Sequence, residues 1–131
     1  MSGSTFKWYP GVRAALDRAM AQAVTMTAED IARDVDTRGV VPHAESARKE
    51  GHTAGALASS VAVEAAKGKR ARIMWTFPGA ARVYFHPEWN FSQAVHGNAR
   101  GAWMEDYIDG ERTAFVRDRY RRNLGAIGVL R

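Results

Sequence analysis

"VAVEAAKGKRARIMWTFPGAARVYF", Val61 to Phe85, is the stretch whose reading decides the fold. Val61 and Val63 alternate with Ala62 and Glu64, the period of a half-buried strand. "KGK" at 67–69 supplies a turn, and "RARIMWTF", Arg70 to Phe77, then puts Ala71, Ile73, Trp75 and Phe77 on one face of a second strand. "PGA" makes another turn, after which "ARVYF", Ala81 to Phe85, reads as a third strand. Three sequential strands with short connections predict a small antiparallel β-meander covered by helices on one face.

Helices flank this sheet on both sides. Pro10 suits the first turn of a helix, and Val12, Leu16, Ala19, Met20, Ala23, Ile31 and Val35 follow at three- and four-residue steps. Thr25 and Thr27 are placed to cap a break in its middle, giving one long helix or two collinear ones. From Asp36 to His52 the text turns polar around Gly39, Pro42 and Gly51, which predicts a long loop, either a surface arm or one that orders on a partner. Thr53 caps a short helical turn through Leu57 ahead of the first strand. A last long helix starts at Asn98, bends at Gly110 and stops at Leu124–Gly125, leaving 125–131 as a tail. The expectation is one α+β domain over 1–131: long N-terminal helix, extended loop at 36–52, β-meander, long C-terminal helix. Its predicted core contains Leu16, Met20, Ile31, Leu57, Ile73, Trp75, Tyr84, Trp103 and Tyr107.

That core is thin. Of the 46% apolar residues, 23 are alanine, while Leu, Ile, Val and Phe together number 24. A compact monomer of this mass exposes roughly 7,000 Å², and a standard interface takes about 800 Å² from each partner. Burial against neighbours is therefore a plausible source of stability. The net charge of +5 permits contact with nucleic acid or an acidic protein surface. No residue is cysteine, which excludes disulfides, zinc–thiolate sites and thiol catalysis. The N-terminus lacks the pattern of a signal peptide and no apolar run approaches the length of a membrane span, so a cytosolic, non-membrane protein is expected.

Catalytic chemistry finds little support. His86, Glu88 and His96 are the sharpest metal candidates, but the histidines lie ten residues apart across an irregular segment. Ser59 and Ser60 lack a nucleophile-elbow context, and no phosphate-binding glycine motif occurs. Neither a catalytic residue nor a cofactor is assigned. Two groups of residues suit an interface instead: Trp89 and Phe91, aromatics in the loop before the last helix, and Arg117, Arg119, Arg121 and Arg122, clustered in "RDRYRRN". With Tyr120 and the cations of "KGKRAR", the arginines keep nucleic-acid binding open as a rival reading.

The order of motifs is itself informative. "FKWYP" before an alanine-rich helix, "HTAGALASSVAV" before the sheet, "ARVYFHPEWNF", and "HGNARGAWMEDYIDGERTAFVRD" together resemble the minor capsid proteins of tailed bacteriophages, related to neck and tail-completion proteins. The matching residues are Thr53, Gly55, Ala56, Leu57, Tyr84 and Trp103; "TAGAL" carries an extra alanine after Thr53, and "HGNARGAW" stands where the family has a plain His-Pro loop. The resemblance implies a non-enzymatic subunit of the head-to-tail junction, made in the host bacterial cytoplasm and kept in the virion. It also implies partners: copies of itself in a ring of six or twelve, the neighbouring adaptor or stopper and the tail terminator; the basic residues add nonspecific contact with passing DNA as an expectation.

Overall fold

The computed structural model describes residues 11–42, 56–88 and 98–128. Its elements are α1 (Val12–Arg38), α2 (Ala56–Ser59), β1 (Val61–Lys67), β2 (Arg70–Trp75), α3 (Ala80–Tyr84), α4 (Glu105–Asp109) and α5 (Thr113–Ile127). The chain is mixed α+β, with a long N-terminal helix, an antiparallel sheet and a C-terminal helix.

Helix α1 has 27 residues, a rod of about 40 Å. It runs unbroken through Thr25 and Thr27, whose hydroxyls donate back to the carbonyls of Ala21 (3.1 Å) and Ala23 (2.7 Å) instead of capping a new start. Both hydroxyls also accept. Thr25 Oγ1 takes the N–H of Ala66 at 2.8 Å, and Thr27 Oγ1 takes Nδ2 of Asn123 at 3.1 Å, so α1 holds the hairpin and α5 from a single turn. The helix ends at Gly39, whose φ of 61° is the left-handed conformation that glycine adopts without strain. The expected loop therefore begins later than Asp36: Asp36 to Arg38 are helical, and Val40, Val41 and Pro42 are buried. Residues 43–55 lie outside the described residues, as does Thr53.

Strands β1 and β2 pair with Val61 opposite Trp75, Val63 opposite Ile73 and Glu64 opposite Arg72, with an irregularity before Lys67. The alternation expected for Ala71, Ile73 and Trp75 is present, but the meander stops at two strands. Ala81 to Phe85 is not a third strand; it lies in α3 and its C-cap. Gly79 at φ 85° turns the chain, the N–H of Ala80 closes on the carbonyl of Phe77, and helical spacing then brings Ala80, Val83 and Tyr84 to the core together. A strand would have sent Val83 and Tyr84 to opposite faces.

The core cluster comprises Val35, Val40, Val41, Leu57, Ala80, Trp103 and Tyr107. Trp103, 1% exposed, is its largest member and meets Tyr84 edge-on at 4.9 Å and Trp75 at 5.5 Å. Ile31, Trp75 and Tyr84 pack against this cluster half-buried; Leu16, Met20 and Ile73 are half-buried outside it. Among the described residues the largest fully buried side chains are Trp103, Leu57 and Val35.

The last helix is two helices. Asn98 does not start it; its Nδ2 donates to the carbonyl of Arg38 at 3.1 Å, while the N–H of Arg100 donates to Val40, fastening this segment to the end of α1. Gly110 is extended and separates α4 from α5, and in that conformation a Cβ would stand against the backbone of Asp106. Gly125 does not end α5. The stop is Gly128, at φ 93°, whose N–H reaches the carbonyls of Leu124 and Gly125.

Candidate functional site

Helix α1 presents two kinds of surface to its neighbours. On one side, Asp30, Asp34 and Arg38 follow at i, i+4 and i+8 and form a polar seam with α4 and α5. Asp30 Oδ2 accepts from Nε of Arg119 (3.1 Å) and Nδ2 of Asn123 (3.0 Å), and Oδ1 accepts from Nη1 of Arg33 (3.1 Å). Burial works to raise the Asp30 carboxyl pKa, but the bonds from Asn123 and Arg119 outweigh it and hold the group below its ordinary value. Asp34 Oδ2 accepts from Arg112 through Nη2 (2.8 Å) and Nε (3.2 Å), and from the Tyr107 hydroxyl. Burial and the bond to Asp34 both push the Tyr107 phenol up. Arg38 completes the seam by donating to Tyr107 Oη (3.2 Å) and Asp106 Oδ2 (3.1 Å). Arg100 lies 3.5 Å from the same Asp106 oxygen.

Asp30, Asp34 and Asp106 of this seam are each paired with an arginine. Among the described residues no group of three His, Asp or Glu side chains is placed to hold a metal ion. His86 and Glu88 form an exposed pair at 2.7 Å; His43, His52 and His96 lie outside the described residues. No described helix is long and apolar enough to cross a membrane.

Beside this seam, and bordered by Thr27, α1 floors an apolar groove of about 270 Å³. Val24, Ala28 and Ile31 form the floor. Ala71 and Ile73 of β2 make one wall, and Val116 and Tyr120 of α5 the other. A second apolar depression, of about 200 Å³, lies over Trp75 and Trp103 beside Phe85, which is 73% exposed.

The arginine cluster divides across α5. Arg117, Arg121 and Arg122 are exposed, whereas Arg119 is turned inward onto Asp30 and is part of the seam rather than of an outward surface. Trp89 and Phe91 lie outside the described residues. Sequence reading missed the groove and the pairing of Asp30 and Asp34 with Arg119 and Arg112. Its signal was the four-residue spacing of Asp30, Asp34 and Arg38 and of Val116 and Tyr120, visible on each helix but silent about which faces meet. Comparison of the chain with family models, with curated proteins and with solved structures finds no match.

Proposed function

We propose that this chain is a non-enzymatic structural subunit of the head-to-tail junction of a tailed bacteriophage, forming a ring of six or twelve copies that bridges an adaptor or stopper protein and the tail terminator. The observation that carries this reading is the meeting of the motif residues: Leu57, Tyr84 and Trp103, far apart in the sequence, pack around one core cluster. That residues drawn from three separate motifs share one core is what supports the resemblance, although Tyr84 reaches it from a helix and not from the sheet. The small core and open apolar groove add support, because such a subunit gains stability by covering surface on assembly. The test is quantitative mass spectrometry of purified virus-like particles from producing cells, counting copies of this chain per portal ring. A fixed count of about six or twelve is expected for the ring geometry. Absence from particles, with the protein left in the lysate, rejects the reading.

One observation favours a second reading, a basic DNA-binding accessory protein. Lys67, Lys69, Arg70 and Arg72 crowd one hairpin, are exposed, and enter no ion pair among the described residues. Affinity for duplex DNA falling steeply with salt is its expected signature.

A further inference from the structure

The sheet has two strands, so one edge of β2 has no strand beside it among the described residues. The apolar groove touches the sheet only through Ala71 and Ile73 of β2, which places that edge towards α5. A free strand edge beside an apolar trough is the arrangement that accepts an added strand. From the edge and the surrounding charge we infer that β2 is a docking site for an extended segment of another protein, one that alternates apolar and acidic residues and adds as a third strand.

The alternation follows from the faces of β2. Ala71 and Ile73 face the groove, so a strand paired beside them must place apolar side chains on that side, towards Val24 and Ile31. Arg70 and Arg72 point to the other face and are exposed. Directly opposite Arg72 on β1 stands Glu64, a cross-strand neighbour that forms no ion pair with it among the described residues, and an added strand brings an acid to the other side. The charge around the groove has the same sign. On α5, Phe115 and Arg119 turn to the cleft with Asp30 and Asp34, so Arg117 and Arg121, one position after Val116 and Tyr120, stand on the outer shoulder of the groove. Neither enters an ion pair among the described residues.

The stretch at 6–9 of a second copy, "FKWY", is a poor occupant, because it sets a lysine where Arg70 and Arg72 call for an acid; β1 of a second copy offers a single acid, Glu64, and self-pairing through it is an outcome that the test separates. The inference stands apart from the ring reading, since it concerns the chemistry of one edge.

Three blocked nine-residue peptides test it by ¹⁵N NMR titration of the whole chain: valine alternating with glutamate, valine alternating with lysine, and the glutamate peptide N-methylated on the backbone at every second residue. The glutamate peptide is expected to bind, to shift the signals of Ala71, Ile73, Val116 and Tyr120, and to slow amide exchange in β2. N-methylation is expected to weaken it at least about tenfold, one hydrogen bond or more being lost. The exposed double variant Arg70→Glu/Arg72→Glu is expected to prefer the lysine peptide, with its fold checked by thermal melting; if that variant unfolds, the N-methylated peptide on the wild-type chain still decides. Equal binding of both charges, insensitivity to N-methylation, shifts centred on Phe85, no binding at millimolar peptide, or β2 amides already protected by self-association would each overturn the assignment.

Discussion

Asp34 accepts from two elements at once, Arg112 at the start of α5 and Tyr107 of α4, and its side chain is only 17% exposed. Asp34→Ala leaves a guanidinium and a phenol without their acceptor. The expected cost is about 2 kcal/mol, below that of a fully buried pair because Arg112 still reaches water. Urea unfolding measures it, and a loss under about 0.5 kcal/mol would show that the seam contributes no more than an ordinary surface pair. Asp30 adds a dependence on pH. Its folded carboxyl lies below the ordinary value of 3.8, so its stabilisation is complete above that value and fades as pH falls through the lower folded one. Asp30→Asn is therefore expected to flatten the decline of melting temperature below about pH 4. Tyr107 acts at the opposite limit. Its phenol is raised by burial and by Asp34, so its contribution holds below about pH 10 and is lost on further rise.

At the scale of elements, Gly110 is the joint between α4 and α5. A Cβ there would stand 2.7 Å from Asp106 Cα, a backbone atom that no side-chain rotation can move. Gly110→Ala is expected to destabilise the chain by about 1–3 kcal/mol. Thermal unfolding checks this, and an unchanged melting temperature would mean that the joint is loose. Gly110 also shows what a sequence discloses about elements. A glycine in an apolar helical pattern announces an interruption, and the interruption is there; that the chain breaks into two helices instead of bending is not written in the pattern. "ARVYF" failed for a related reason. Five residues satisfy both periods, and the choice between them was made by the turn at Gly79 and by the room beside Trp103, neither of which is local to those residues. Helix α1 was legible because its apolar stripe runs over seven turns, long enough for one period to exclude the other.

Over the described residues, Arg38, Arg100, Arg112 and Arg119 turn to the carboxylates of the seam, while Lys67, Lys69, Arg70 and Arg72 of the hairpin and Arg117, Arg121 and Arg122 of α5 are exposed. Reversing Lys67, Lys69, Arg70 and Arg72 to Glu is expected to lower the salt needed to elute the chain from heparin while moving its melting temperature little; unchanged elution would place the anion-attracting surface elsewhere. Composition gave the sign and size of this charge but not its division, because Asp30 and Arg119 are 89 positions apart in sequence and meet only when α1 and α5 pack. The groove was hidden likewise, its floor and walls coming from three separate elements. The threonines at 25 and 27 have a consequence for motion. Each hydroxyl is tied at once to its own helix and to a different neighbour, so the pair acts like two registration pins driven through one shaft. Sliding α1 by a single residue would turn it by about 100° and pull both pins together. Slippage by degrees is closed to this helix; hairpin and α5 keep their alignment until both let go.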